Sequence, residues 1–312
     1  MHPAYSIIIF TTLSGLGYGL AIYLGFGLLD PQGLPARTGY VLSFGLIAAG
    51  LFSSLLHLGN PQRAWRALSQ WRSSWLSREG VLAILTFIPL TLNAMLCIFA
   101  GQESFHLNVL MIVGSLLTVY CTSMIYASLK SVNAWNTILT PVCYLLFALT
   151  GGLVLGSLLS NFGGQPENIG DALFGFTTQV LAIVFLALAW IAKMLWRYRM
   201  ENTPDPSSPE SATGLGSIGK VRLLEKPHAL ENYLTREMGF KVARKHSEKL
   251  WVIAFALGGA VPALALFMSI LMGYGVLVNL LLVLATVSHV LGMMVERWLF
   301  FAEAKHAVMN YY

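Results

Sequence analysis

The sequence predicts an all-α, polytopic integral membrane protein with eight transmembrane helices, on three observations. Of its 312 residues, 56 % are hydrophobic and only 11 % are charged, far from the balance of a water-soluble domain. The apolar residues gather in unbroken runs long enough to cross a bilayer, without the alternation of a barrel strand. Lys and Arg lie between those runs, so the net charge of +5 reads as membrane topology and not as a nucleic-acid-binding face.

The runs fall near residues 6–29, 38–58, 79–100, 107–129, 139–160, 172–195, 250–272 and 276–300. Helices are the economical choice, because lipid cannot hydrogen-bond to an open backbone. The first run begins close to Met1 with no basic stretch before it, which fits an uncleaved span. Eight spans put both termini on one side, together with the connectors 59–78, 130–138 and 196–249. That side and its flanking helix ends carry 18 of the 19 Lys and Arg, with Arg37 alone opposite, so it is expected to be cytoplasmic.

Three parts follow: residues 1–196 with six spans and an interfacial helix near 61–71, a connector at 197–249, and the last two spans with a tail at 250–312. The connector opens with the Pro/Ser-rich "NTPDPSSPESATG" and continues with the basic "ENYLTREMGFKVARKHSEKLW". It has too few apolar anchors for an enzyme domain of its own and suits ordering against a partner protein. Within it "GLGSIGK" (Gly214, Gly219, Lys220) imitates a phosphate-binding loop, but Val221 stands where Ser or Thr is needed and no strand precedes it.

"SGLGYG" in the first span and "TGGLVLG" in the fifth both space two glycines four apart, Gly15 with Gly19 and Gly152 with Gly156. Close packing through small residues explains this; a parallel duplication of two four-helix units is the other reading. Cys97, Cys121 and Cys143 all fall inside apolar runs without ligand spacing, which excludes an iron–sulfur cluster held by these residues and a covalently attached haem. Asn93, Asn108 and Asn279 are expected to hydrogen-bond between helices.

The stretch "HLGNPQRAWRALSQWRSSWLSREG", residues 57–80, concentrates four arginines and three tryptophans between two apolar runs. Gly59 can end the second helix after His57, Asn60 can cap a new one and Pro61 suits its first position. Ala64, Ala67, Leu68 and Trp71 then share one face, with Arg63, Arg66 and Gln70 on the other, as in a helix lying in the membrane surface. Trp65, Trp71 and Trp75 suit headgroup depth. Ser77 is expected to cap the third span and Glu79 to sit in its first turn, at the depth of His57.

Each of these residues has a plain account: arginines for topology, tryptophans for anchoring, His57 as a helix end, Glu79 as a dipole partner. Together they also suit a quinone headgroup, which needs hydrogen-bond donors, a cationic field and a proton exchanger. A histidine near its ordinary pKa and a carboxylate at the membrane edge supply these.

At these residues the protein resembles the membrane-anchor family of dimethyl sulfoxide reductase-type molybdoenzymes. "LHLGNPQRAWRALSQW" followed by "LSREG" matches that family's block after its second helix, and the eight-span layout extends the likeness over nearly the whole length. "GKVRLLEKPHALENYLTREMGFKVARKH" and "ERWLFFAEAKHAVMNYY" are similar to the branch that anchors the membrane-bound cytoplasmic sulfite dehydrogenase.

The resemblance implies a bacterial inner-membrane protein holding a molybdopterin catalytic subunit and a ferredoxin-like subunit with [4Fe-4S] clusters. It implies electron exchange with ubiquinone or menaquinone, and in this family His57 and Glu79 match residues tied to quinol chemistry. Arg63 and Arg78 are further candidates for quinone binding. Glu79, Glu296 and Arg297 are candidates for a proton relay, with His306 on the same side. Arg66, Arg72, Lys220, Arg222, Arg244 and Lys245 are candidates for partner docking. No residue is assigned sulfur chemistry or a metal, and haem b between His57 and His289 is not expected, because their depths differ. The alternatives are a reductase anchor that oxidises quinol, a purely structural anchor and a secondary transporter.

Overall fold

The computed structural model describes residues 3–56, 58–162, 169–204, 207–222, 224–225 and 242–311. Among them are eight helices long and apolar enough to cross a membrane. They are α1 (Tyr5–Gly25), α2 (Leu34–Leu55), α3 (Trp75–Met95, continued by a π turn at Leu96–Ala100) and α4 (Phe105–Ala127). Then follow α5 (Leu139–Phe162), α6 (Ile169–Asn202), α7 (Val242–Phe255, running through a π turn at Ala256–Ala260 into Val261–Met272) and α8 (Val276–Ala302). No strand occurs among the described residues. The expected spans are all present. α6 is longer than expected, carrying Arg197 and Arg199 beyond its apolar run, and a one-turn helix at Pro209–Thr213 is capped by Ser208.

The two most buried spans, α1 and α5, lie against each other at the centre of the bundle. A Cβ on Gly19 would come within 1.8 Å of the Ala148 carbonyl oxygen, and one on Gly152 within 2.1 Å of the Gly19 carbonyl oxygen. Leu16 meets Gly151 and the Tyr23 ring covers Gly156. The contacts advance together along both helices, so these run parallel, and only small residues let their backbones come this close. Gly15 is different: a Cβ there meets nothing within 4 Å.

α7 and α8 meet through a second glycine pair, Gly258 and Gly292. Pro262 has no N–H to offer, which leaves the carbonyls one turn earlier in α7 short of a donor. Ser288 Oγ donates to the Leu257 carbonyl at 2.7 Å and His289 Nδ1 to the Gly258 carbonyl at 2.9 Å. The π turn and His289 are thus parts of one device, in which a side chain of α8 repairs the backbone of α7.

The two ends of the bundle differ. On the Arg37 side, Asn93 Nδ2 donates to Asn108 Oδ1 (2.5 Å), Asn108 Nδ2 to Glu103 (3.2 Å) and Tyr40 to Glu103 (3.0 Å). Asn161 donates to Asn279 at 2.8 Å between α5 and α8, so all three expected asparagines bridge helices. On the basic side the 128–138 connector is fastened to α8 by Trp135 Nε1 donating to the Phe300 carbonyl (2.9 Å) and to α6 by Arg199. The tail joins them there, with the Ala307 amide donating to the Ser131 carbonyl at 2.8 Å.

Because Gly19 touches backbone and Gly15 touches nothing, alanine at the two positions should act oppositely. Gly19→Ala is expected to lower the thermal stability of the detergent-solubilised protein by several degrees and to disturb α1–α5 packing. Gly15→Ala should be neutral or stabilising by up to about 1 kcal/mol, the helix-propensity gain.

Candidate functional site

The 57–80 region departs from expectation in three respects. Residues Pro61–Gln70 form a 3-10 helix and not an α-helix, so Trp65, Leu68 and Trp71 fall in one row at three-residue spacing. The Asn60 side chain makes no capping bond. Ser74, not Ser77, caps α3, accepting from the Ser77 amide, because the Ser77 hydroxyl is committed to the Ala67 carbonyl of the 3-10 segment. That bond, with Leu68 packed on Gly80, ties the segment to the first turns of α3.

Starting α3 at Trp75 moves Glu79 from the first turn into the second, and from the surface into the bundle. Its side chain is 4 % exposed and accepts a hydrogen bond from the Thr122 hydroxyl of α4. No Lys or Arg forms an ion pair with it among the described residues. Its charge reaches Tyr18 of α1, Cys121 and Tyr126 of α4 and Tyr144 of α5. A buried carboxyl with a single neutral partner can exist with or without its proton, which is what a proton exchanger needs.

A second cluster lies between α5, α6 and α8. Lys193 (2 % exposed) contacts Glu296 (1 %) at 2.6 Å, and Arg297 (3 %) contacts the other oxygen of the same carboxylate. Aromatic faces complete the enclosure: Lys193 Nζ lies 3.7 Å from the Trp196 ring centre and the Arg297 guanidinium 4.2 Å from that of Tyr144. Rings of this kind stabilise a cation without supplying a counter-charge. Two cations and one anion leave the triad with a net positive charge inside the bundle.

A cavity of about 30 Å³ touches both clusters at their edges, at Thr122 beside Glu79 and at Arg297 of the triad. Its wall includes Thr12, Ser14, Gly15, Thr122, Tyr144 and Arg297. Thr12 Oγ1, the Tyr144 hydroxyl and Arg297 Nη2 are buried there without a protein hydrogen-bond partner among the described residues. The space suits one or two water molecules, at roughly 10–15 Å³ each, and such waters would satisfy these groups. On the basic face, a cleft of about 400 Å³ is lined by Arg197, Glu201, Glu248, Glu303 and Lys305.

Of the remaining predicted residues, those that are described belong to neither cluster. His57 lies outside the described residues. Arg63, Arg66 and Arg72 are exposed. Arg78 spends its guanidinium on the carbonyls of Trp71 (3.0 Å) and Arg72 (2.7 Å) and stacks on Trp75, which gives it a structural task. Lys220 and Arg222 are exposed, and the Arg244 and Lys245 side chains fall outside the described residues. Gly214 ends the one-turn helix with φ 70°, the local reason for the glycine in the "GLGSIGK" run. Sequence reasoning missed Lys193. Its only signal was a lone lysine before "MLWRYR", which reads equally well as the basic end of a span.

The helices and clusters define a multi-pass membrane protein with a buried ionisable site near its basic face. Residues 1–302, nearly the full length, match the family described as DMSO reductase anchor subunit (DmsC). The protein belongs to that family and is a membrane anchor subunit of a DMSO reductase-type complex, which removes the transporter alternative. It is 31 % identical to a sulfite dehydrogenase subunit of Allochromatium vinosum, over 100 % of its own length and 99 % of that relative's. It is 28 % identical to an anaerobic dimethyl sulfoxide reductase polypeptide of Escherichia coli, over 51 % of its own length and 58 % of that one's. With the polypeptide of the same description from Haemophilus influenzae it shares 30 % identity, over 57 % and 67 % of the two lengths. No solved structure matches the protein.

The triad carries a stability prediction. Glu296→Gln leaves Lys193 and Arg297 facing each other without a counter-charge and should cost about 3–5 kcal/mol. Thermal unfolding of the solubilised protein measures it, and a loss below about 1 kcal/mol would mean that water screens the pair.

Proposed function

We propose that this protein is the quinone-reactive anchor of a sulfite-oxidising molybdoenzyme complex in a bacterial cytoplasmic membrane. A molybdopterin subunit oxidises sulfite to sulfate, a ferredoxin-like subunit with [4Fe-4S] clusters carries the electrons, and membrane quinone takes them beside His57 and Glu79. The full-length likeness to a sulfite dehydrogenase subunit supports the choice of sulfite. The basic side of the bundle, with both termini, is then cytoplasmic, in keeping with its excess of Lys and Arg.

The observation that carries the quinone reading is the Glu79 carboxyl, buried behind the surface-lying segment 61–70 with Thr122 as its hydrogen-bond partner. Quinone reduction takes up two protons with its two electrons, so a proton donor must stand at the headgroup. Glu79 serves as that donor, and His57 at the membrane edge binds the headgroup oxygen and exchanges protons with water. Arg63, exposed on the 61–70 segment, adds a cationic field for the reduced headgroup. Arg66, Arg72, Lys220, Arg222, Arg244 and Lys245 offer the docking charge for the iron–sulfur subunit. The likeness to two dimethyl sulfoxide reductase polypeptides favours a second reading, in which the same site oxidises quinol.

Membranes carrying the complex test this with sulfite as donor and two acceptors, a quinone analogue and a soluble dye that bypasses the anchor. His57→Gln and Glu79→Gln should each slow quinone reduction by about 100-fold, the usual weight of a general acid, and leave dye reduction intact. Unchanged quinone reduction in both variants would leave the protein as a structural anchor. If sulfite drives neither acceptor in wild type while quinol drives a reductase reaction, the second reading holds.

A further inference from the structure

Of the two cations in the Lys193–Glu296–Arg297 triad, Lys193 alone belongs to a side-chain type that can release a proton. Arg297 cannot release a proton. Glu296 is held between two cations, so as a resting state its protonated form is costly. Lysine, in contrast, gives up its proton readily when buried. If Lys193 does so, Glu296 and Arg297 remain as a neutral ion pair, and the triad passes from a net positive charge to none.

The triad also stands between two polar spaces. Inward, Arg297 and Tyr144 line the small cavity whose other wall includes Thr122, the hydrogen-bond partner of Glu79. Outward, Lys193, Arg197 and Glu201 follow one another at four-residue steps on α6, and Glu303 follows Glu296 by seven residues at the end of α8. Both intervals keep to one helix face, and seven residues span about 10 Å along the axis. Glu303 lines the surface cleft and is near enough to Lys193 and Arg197 for their charges to act on it. Burial pushes its carboxyl above the usual carboxylate range despite those two cations, so it exchanges protons closer to neutral pH than a free side chain does.

We propose that Lys193 is the proton-carrying residue of an internal route that links Glu79, through cavity water at Thr122, Tyr144 and Arg297, to the surface cleft at Glu303. The route rests on the assignment of Glu79 to the quinone site and adds its supply line. During quinone reduction Lys193 yields its proton across the 2.6 Å contact to Glu296, which holds it only in transit to the cavity water and Glu79. Glu303, which acts on Lys193 through space and not in direct contact, then returns a proton to the neutral lysine through intervening water and is refilled from the cleft. Quinol oxidation runs the same steps backwards. Lys193 and Glu303 touch neither substrate nor headgroup and act by positioning and carrying protons.

The test separates charge from proton exchange. In membranes holding the complete complex, Lys193→Arg keeps the cation but cannot release a proton, and Lys193→Gln removes both properties. Both variants should slow quinone-linked turnover by about tenfold or more with a raised solvent deuterium isotope effect, while dye-linked turnover stays at the wild-type level. Wild-type quinone-linked turnover in Lys193→Arg would overturn the proposal, because the lysine would then serve only as a fixed charge. Should Lys193→Arg fail to assemble, seen as loss of dye-linked activity from the membrane, Glu303→Gln at the half-buried outer end decides. A slowing of about threefold or more with a raised isotope effect supports the route, and unchanged turnover overturns it. Glu79→Gln distinguishes the two levels. If Glu79→Gln is slow while Lys193→Arg is normal, the quinone site stands and the route falls; if Glu79→Gln is normal, the assignment of Glu79 and the route both fall, and His57→Gln alone decides whether a quinone site remains.

Discussion

A charge buried in a lipid-embedded bundle must be answered at contact distance, and the Lys193–Glu296–Arg297 triad is where this protein meets that demand most sharply. The triad joins α6 to α8, and the Arg297 guanidinium lies against Tyr144 and Phe147 of α5. Three spans are thereby held in one arrangement near the basic face. The aromatic cluster beneath, with Phe300 against both Trp135 and Trp196, extends the grip to the 128–138 connector and the start of the tail.

The same economy of polar groups shapes the rest of the bundle. Lipid offers no hydrogen bonds, so each irregularity in a helix needs a partner from a neighbour. Pro262 unsettles α7, and Ser288 and His289 of α8 take up the exposed carbonyls. Asn93 and Asn108 satisfy each other between α3 and α4, and Asn161 and Asn279 between α5 and α8. Between these fixed points the helices approach through glycine, at Gly19 with Gly152 and at Gly258 with Gly292, where van der Waals contact replaces the hydrophobic effect as the cohesive force.

Against that background Glu79 stands out because the bundle does not neutralise it. Among the described residues, the other deeply buried charges have an ionic partner in contact, whereas Glu79 has one hydroxyl and a cavity beyond it. A site that must gain and lose protons is better served by this arrangement than by a salt bridge, which would hold the carboxyl in one state.

Much of this was legible in the amino-acid sequence. Eight spans and the bridging asparagines follow from apolar run length and the cost of polar groups in lipid, both of which act locally or along the sequence. The motif around His57 and Glu79 carried the family likeness as well. The burial of Glu79 was not legible, because it depends on which serine starts α3: Ser77 is drawn to the Ala67 carbonyl, Ser74 takes the cap and the carboxyl turns inward to Thr122. Nor was the distinction between Gly15 and Gly19, which share one spacing motif and have opposite surroundings. Lys193 lies far from Glu296 in sequence, where it is one more basic residue at the end of a span. Only helix packing brings it to the carboxylate and shuts water out, and in a low dielectric that contact decides whether a lysine is a topology signal or part of a site.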